Sequence, residues 1–545
     1  CVNFDLLGRL VESIFGSVVT VESPFALADV DGNAVASATG PINIYTGYNQ
    51  VSVLAKDVRI TDLVLDGNSS NWTWGRWQHT AAVITGVAEG QESDNFMMDH
   101  CKVINQFGDG IDPGGPGNVI AHNWIENIKG RGIVFSGMEG TPTNIGCRCV
   151  FNHVIDCNTD VNVGGHDGLG SIDFSQGGPN TLIEGNYISG GYDGIHSAVV
   201  QNASMNIIAN EILDMTRYGM DFEITVDSDP HRSITIRDNE IDTAEQGIFL
   251  VADGSATTVV ERVSIVNNEF RNITDTHLQV GSDTAGKIVG EVQIEGNTLY
   301  GSGTTQTLIQ AYRGENTIIR GNTCLEGGYG IDIPELIKEC LIANNLCHGQ
   351  YTWGISVGDG NSTGVVITGN RVRTGASADG SAYMGIRSYA PGPIVGNYVD
   401  PTIGADGAFG IVIYGQKHFV ESNYVGEALN TGILAQASST YSMINNNYVP
   451  NGSIYIYALA AANGVFRRNN VLSYQANRGV ATLVAGTVTV STQEIRTGDN
   501  VILSRATTGG TVGHLSLGTV TDSTSFVINS SSGTDTSTVY WEIRH

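Results

Sequence analysis

Positive charge is scarce in this chain. Only 27 lysines and arginines face 55 aspartates and glutamates over 545 residues, a formal net charge of −28. That balance argues against nucleic acid as a partner, because little here can replace the counterions condensed on a phosphate backbone. Long apolar runs are missing too. None approaches the ~18 residues that a membrane helix needs, so no membrane insertion is expected. Cysteines number 8. Cys147 and Cys149, one residue apart, and the scattered Cys101, Cys157, Cys324, Cys340 and Cys347 show no zinc spacing. They read as small buried hydrophobes rather than a disulfide framework. Charged residues make up 15% and hydrophobic ones 41%, enough apolar surface for a long core and too much for a disordered chain. At the N-terminus, Leu6, Leu7, Leu10, Val11 and Phe15 are interrupted by Arg9 and Glu12. This start reads as a short amphipathic helix rather than a signal peptide.

Glycine, in contrast, is plentiful at 70 residues, and a repeat accompanies it. An apolar residue, two variable ones, Asn, a variable one and a second apolar residue recur, as in Ile120-Ala-His-Asn123-Trp-Ile125 and Ile183-Glu-Gly-Asn186-Tyr-Ile188. The Asn returns fourteen times between Asn123 and Asn469, a mean step of about 27 residues and the mark of a repeat architecture. Degenerate copies, Met98-Asp-His-Cys101-Lys-Val103 and Ile60-Thr-Asp-Leu63-Val-Leu65, extend it upstream. Roughly nine residues after each Asn comes Gly and an alternating strand, for example Gly132-Ile-Val-Phe135, Gly194-Ile-His-Ser197 and Gly219-Met-Asp-Phe222. No helical period lies between. Two or three short strands per repeat predict a coil of strands, each turn bonded to the next at ~4.8 Å, with about 16 rungs. Asn suits the corner, since it tolerates left-handed backbone angles and its amide can bond to the Asn one rung away. The expected fold is all-β, a right-handed single-stranded parallel β-helix over 56–477. An N-terminal cap over 1–55 precedes it, and a small all-β module over 478–545, rich in Thr, Ser and Val, follows.

On these motifs the chain resembles the pectate-lyase superfold of pectinases, alginate epimerases and bacteriophage tailspikes. Gly479-Val-Ala-Thr-Leu-Val-Ala-Gly-Thr-Val-Thr-Val-Ser491, followed by Gly513-His-Leu-Ser-Leu-Gly-Thr-Val520 and Ser525-Phe-Val-Ile-Asn-Ser530, resembles a module that ends many phage tail proteins. The resemblance to a phage tailspike implies a homotrimer that binds and cleaves a bacterial surface polysaccharide. It also implies attachment to the virion tail by an N-terminal domain not evident in this sequence. The chain is then expected to be a receptor-binding part, and the terminal module a trimerisation or carbohydrate-binding one. Fold alone does not imply function, which lives in the site.

In each Gly-Ile-x-apolar strand, x is expected to face solvent. Read rung by rung, x is Asp112, Val134, Asp173, His196, Asp221, Phe249, Gln279, Ile309, Asp332, Ser356, Arg387 and Val412. Asp173, His196 and Asp221 fall on three successive rungs, with Glu223 two residues beyond Asp221 on the same face. Rungs ~4.8 Å apart and i, i+2 neighbours ~6.5–7 Å apart suit a glycosidase pair. Like charges so close raise one pKa, leaving one acid protonated as donor and one ionised as base. Asp221 and Glu223 are the expected acid and base, Asp173 a second base, and His196 a polariser or substrate contact. Tyr192, Asp193, His166, Arg217 and Tyr218 flank these strands as candidate substrate contacts. The competing readings are an ordinary polar surface and a cation site. No Asp-rich loop of fixed spacing is present, so neither metal nor cofactor is expected.

Other motifs are looser. Trp72, Trp74 and Trp77 form either a sugar platform or a packed loop. Tyr218-Gly-Met-Asp221-Phe-Glu223 is similar to the Tyr-Gly-Phe-Asp-Pro-His run of mannuronan epimerases, but Asp229-Pro230-His231 is displaced from it. The reading that results is an endo-acting glycoside hydrolase on a bacterial surface polysaccharide. A polysaccharide lyase using His196, Arg217, Tyr218 and Arg387 is the runner-up, opposed by the acidic row, which would repel a uronate. A non-catalytic glycan-binding adhesin is the third.

Overall fold

The computed structural model describes residues 42–45, 50–53, 57–66, 81–85, 94–135, 144–159, 170–199, 204–224, 233–252, 259–281, 288–358, 360–375, 384–400, 408–426, 431–436, 438–450, 454–456, 466–468, 470–472, 477–492, 494–522 and 524–544. The expected N-terminal helix, the tryptophans at 72, 74 and 77, and His166 lie outside the described residues. All regular structure among the described residues is β-strand. The chain divides into two compact units, Cys1–Leu346 and Cys347–His545.

After an antiparallel pair, Ile42–Tyr45 with Gln50–Val53, the first unit winds through three sheets of parallel strands, giving one strand to each per turn. The repeat motif explains why: its two apolar residues sit on two different sheets, with the Asn at the corner between them. Ile120, Cys149, Ile183 and Ile207 are register partners on one sheet. Ile125, Val154, Ile188 and Ile212 are partners on the next, and all eight are fully buried. The first column runs from Ile60 to Ile342, one residue per turn for eleven turns. Each fully buried aliphatic side chain contributes about 1.5–3 kcal/mol, so such columns are a large part of what holds the coil together. The seven described cysteines are buried and unbridged, as expected.

The corner is an amide ladder. The backbone N–H and the side-chain amide of Asn123 both donate to Asn152 Oδ1 at 3.0 Å, and the amide also donates to Met98 O at 2.9 Å. The same bonds continue through Asn186, Asn210, Asn239, Asn268, Asn297 and Asn322 to Asn345. Cys101, in the degenerate copy, joins through its own N–H to Asn123 Oδ1 at 2.9 Å. Two expectations are corrected here. The ladder of the second unit, Asn370–Asn397–Asn423–Asn447, ends on Asn470 rather than Asn469. The left-handed residue is also the one before each Asn: His122, Phe151, Ala209 and Asp238 have φ of 55°, 55°, 53° and 57°. Asn is therefore there for its amide, which satisfies buried backbone groups on two neighbouring turns, and not for its backbone freedom.

The third sheet carries the strand that follows each glycine. A Cβ on Gly219 would lie 2.7 Å from Gly247 O and 2.5 Å from Ile241 Cγ2, so the turns approach too closely there for a side chain. Val134, Asp173, His196, Asp221, Phe249 and Gln279 follow one another in register as expected. The next member is Gln310, not Ile309, and then Asp332. Thr307–Ala311 has no Gly-Ile signature to set the frame, and a slip of one residue exchanges the two faces of a strand. Ile309 is fully buried in consequence.

The second unit repeats the pattern, with a core column Ile355–Ile386–Ile411–Ile433. Its C-terminal part holds two three-stranded antiparallel sheets. Arg478–Thr482 and Asn500–Thr507 flank Thr538–Arg544, and Thr487–Ser491 and Leu515–Thr521 flank Ser525–Ser530. Leu483, Val490, Ile495, Phe526, Ile528, Val539, Trp541 and Ile543 form a core of their own.

Candidate active site

Three neighbouring strands of the first unit, Gly170–Gly177, Asp193–Val199 and Tyr218–Ile224, bring Asp173, His196 and Asp221 side by side. These residues do not face solvent freely, contrary to the sequence expectation: Asp173, His196 and Asp221 are 0%, 4% and 2% exposed. The reason lies in long side chains that come off the strand starts and cover the sheet. Arg131 donates through Nη1 to Asp173 Oδ2 at 2.9 Å and through Nη2 and Nε to Asp109 at 2.8 and 3.2 Å. Arg217 does the same for Asp193, at 3.0 and 2.5 Å.

Burial would raise the Asp173 carboxyl, but the His196 charge and hydrogen bond, then those of Arg131, outweigh it and hold Asp173 below the ordinary range. His196 Nδ1 lies 3.1 Å from Asp173 Oδ1. Burial opposes charge on this ring too, yet Asp173, and after it Asp221 and Glu223, lift its pKa above the usual histidine value. With one oxygen on His196 and the other on Arg131, Asp173 is ionised and occupied. Both of its oxygens are engaged, and its carboxylate bridges the imidazole and the guanidinium.

Asp221 is the opposite case. Its Oδ1 is buried and has no hydrogen-bond partner among the described residues, and its Oδ2 lies 3.7 Å from Arg217 Nη2. Burial pushes its pKa up to about 7; His196 and Arg217 resist the rise, and Asp193 and Glu223 add to it. Glu223 is half-buried. One ligating atom each from His196, Asp221 and Glu223 lie within 4.8 Å of one another, the single such set able to hold a metal ion among the described residues. Two carboxylates and an imidazole fall short of the six to eight oxygens calcium prefers, whereas three mixed N/O ligands with an open position are within the range of a transition metal.

The candidate contacts sort clearly. Asp193 is fully buried, grips Arg217 and accepts the Tyr218 N–H at 3.0 Å, so it orients its neighbours. The Arg217 guanidinium lies between the rings of Tyr192 and Tyr218, at 4.7 and 4.3 Å from their centroids. Tyr218 in turn stacks on Phe249, 5.0 Å away and tilted by 2°. The result is a flat aromatic and cationic wall beside Asp221. Sequence reasoning missed Arg131 and Asp109. The available signal was a column of charged residues just before the strand glycines, Asp109-Gly110, Arg131-Gly132 and Asp193-Gly194, in a chain where charge is rare.

Residues 475–544 match the profile of the K1 capsule-specific polysaccharide lyase, C-terminal domain, and residues 148–274 match that of the right handed beta helix region. No curated protein matches the chain. Among solved structures, the Dettilon tailspike protein is similar at 12% identity, with 91% of this chain and 87% of that chain covered and a TM-score of 0.30. The tailspike protein of E. coli bacteriophage HK620, solved with a pentasaccharide, is similar at 11% identity, with 92% and 87% covered and a TM-score of 0.40.

Proposed function

We propose that this protein is a tailspike depolymerase that cleaves a bacterial surface polysaccharide as an endo-acting glycoside hydrolase. One observation carries the reading: Asp221 is a buried carboxyl with its pKa pushed up to about 7, one oxygen unpartnered among the described residues, and Glu223 beside it. A carboxyl still protonated near neutral pH is what a general acid requires. Asp221 gives its proton to the glycosidic oxygen as the bond to the anomeric carbon breaks. Glu223 acts on the opposite side. With the closest oxygens within 4.8 Å, the pair is nearer to the ~5–5.5 Å of retaining enzymes than to the ~6.5–9.5 Å that leaves room for a water. Glu223 is then the nucleophile, and water, deprotonated by Asp221, releases the glycosyl ester in the second step. His196, kept cationic by Asp173, lends positive charge to the developing carboxylate. Arg131 and Asp109 hold Asp173 in place, and the Tyr192–Arg217–Tyr218 wall receives a sugar face.

The match of residues 475–544 to the C-terminal domain of a capsule-specific polysaccharide lyase supports a capsular polysaccharide as substrate and favours a second reading, β-elimination at a uronate. In that case Tyr218, as its phenolate, takes the proton next to the carboxylate, and Arg217, cationic His196 or neutral Asp221 binds the acid group. Both readings place the chain on a virion tail at the host surface, as a homotrimer. Digestion of purified capsule and lipopolysaccharide from a panel of hosts separates them. New reducing ends without the ultraviolet absorbance of an unsaturated uronate support the hydrolase, and both signals together mean a lyase. No cleavage of a glycan that the protein binds would leave an adhesin.

A further inference from the structure

The second unit holds a cation that the acid–base site does not use. Arg387 lies on the strand Met384–Ser388, next in register to Ser356 and Val412. Its guanidinium sits 4.0 Å from the centroid of the Trp353 ring, 4.8 Å from Tyr389 and 5.9 Å from Tyr414. Tyr389 and Tyr414 stack on each other at 4.1 Å with a tilt of 7°. All four side chains are half-buried.

The charge balance of this group is unusual for the molecule. Arg131, Arg217 and Arg313, all partly buried, each hold a carboxylate. Arg387 forms no ion pair among the described residues, and its buried Nε has no hydrogen-bond partner there. Ser356 Oγ, on the neighbouring strand, is also buried and unpartnered. A chain with 55 acids and 27 bases has thus left a half-buried guanidinium without a counter-ion among the described residues and surrounded it with aromatic rings. Aromatic faces orient a guanidinium without using up its N–H fork. The fork remains for a planar carboxylate, bound through two parallel N–H donors, and the Tyr389–Tyr414 pair offers an aromatic surface to the apolar side of a pyranose.

The geometry points to a glycan-binding subsite at Trp353, Arg387, Tyr389 and Tyr414 that takes an acidic sugar, one carrying a carboxylate on its ring or side chain. The inference rests on the reading of the protein as a polysaccharide-binding one, and it adds the charge class of a sugar in the repeat. It also gives an acidic polymer a foothold on residues other than the carboxylate cluster of the first unit.

The test is saturation-transfer difference NMR on the full chain, with methyl glycosides of glucuronate, galacturonate and N-acetylneuraminate, and with the neutral methyl glucoside and galactoside as controls. At least one acidic glycoside is expected to give a signal at least fivefold above its neutral control. Arg387→Gln and Tyr389→Ala are both expected to reduce it at least fivefold, and Arg387→Lys to weaken it, since a lysine has no planar fork. Unchanged thermal unfolding of each variant shows that the loss is not misfolding. A signal unchanged in Arg387→Gln, equal signals from acidic and neutral glycosides, or no signal from any acidic glycoside would overturn the proposal. Displacement of the glycoside by an equal concentration of inorganic phosphate would mean a general anion site and overturn it too. Asp221→Asn is expected to leave the signal intact. Failure of polysaccharide cleavage with an Arg387-dependent signal retained would therefore count against the hydrolase and not against this subsite.

Discussion

Asp221→Asn tests both the chemistry and the electrostatics of the candidate site. The substitution keeps the size and shape of the side chain and mimics the protonated acid, but it has no proton to give. General acid catalysis contributes typically 10²- to 10⁴-fold, about 2.7–5.4 kcal/mol of barrier at 1.36 kcal/mol per decade. Cleavage is expected to fall by that factor while glycan binding persists. Stability should move the other way. A carboxyl whose pKa rises from 3.8 to about 7 on folding binds its proton more tightly in the native state. The native state consequently loses stability as pH climbs through that interval, and the penalty is complete above about 7. At 1.36 kcal/mol per pKa step, the penalty is on the order of 4 kcal/mol at most, since the neighbouring His196 shares the same protons. The amide does not ionise and escapes it. Asp221→Asn is expected to unfold at higher urea than the wild type at pH 8, with the gap closing towards pH 4. The wild-type rate should also decline above pH 7 as the acid ionises. Reducing-end assays and urea unfolding at pH 4, 6 and 8 measure both halves. A variant that cleaves normally, or one that is less stable than wild type at pH 8, would refute the assignment of Asp221 as a buried protonated acid.

Asp173→Asn leaves Arg131 and His196 facing a neutral amide, and removing one partner from a buried ion pair costs about 3–5 kcal/mol. Its depressed carboxyl stabilises above the ordinary 3.8 and loses that effect as pH falls through its folded value; the raised His196 stabilises below 6.5 and loses it as pH rises through its own. The wild-type advantage in urea unfolding is therefore expected to be greatest between 3.8 and 6.5. Asn239→Ala removes the acceptor of the Asn210 backbone and side-chain N–H groups, both at 2.9 Å, and the donor to Ile207 O and Asn268. With about 1–3 kcal/mol for each buried group left unpaired, a loss of roughly 3 kcal/mol or more is expected, read as a lower urea midpoint. Dialysis against a chelator is expected to leave cleavage unchanged, because the proton on Asp221 and not a metal ion serves the His196–Asp221–Glu223 set. Activity that fell on chelation and returned with a divalent cation would reverse that reading.

How much of this could be read from the sequence follows from how a strand coil encodes itself. The core columns and the amide ladder were legible because one local motif, Ile-x-x-Asn-x-Ile, fixes two inward residues and a corner at once, so its period becomes register. The same logic makes the His196–Asp221 adjacency legible, since Gly194 and Gly219 mark the frame of their strands; in the Asp173 strand Ser171 stands opposite Gly194, and Ile172 keeps the frame. Where the glycine is missing, at Thr307–Ala311, the sequence leaves the frame open, and Gln310 rather than Ile309 follows Gln279. Burial of the acidic row was not legible, because alternation says only which way a residue leaves the sheet and nothing about what covers it. The cover is built by side chains just before the strands: Arg131 reaches Asp173 on the next turn, and Arg217 reaches Asp193 on the preceding turn and Asp221 on its own. Burial is also what separates the carboxyls chemically. Asp173 and Asp221 are both single acids in equivalent positions on nearly adjacent strands, and by sequence alone they are interchangeable. One receives Arg131 and His196 on its two oxygens and is held ionised; the other receives only a 3.7 Å guanidinium and keeps its proton. The direction in which each acid's pKa moves is therefore set by where one upstream arginine lands, and that depends on the start of its strand rather than on the acid itself.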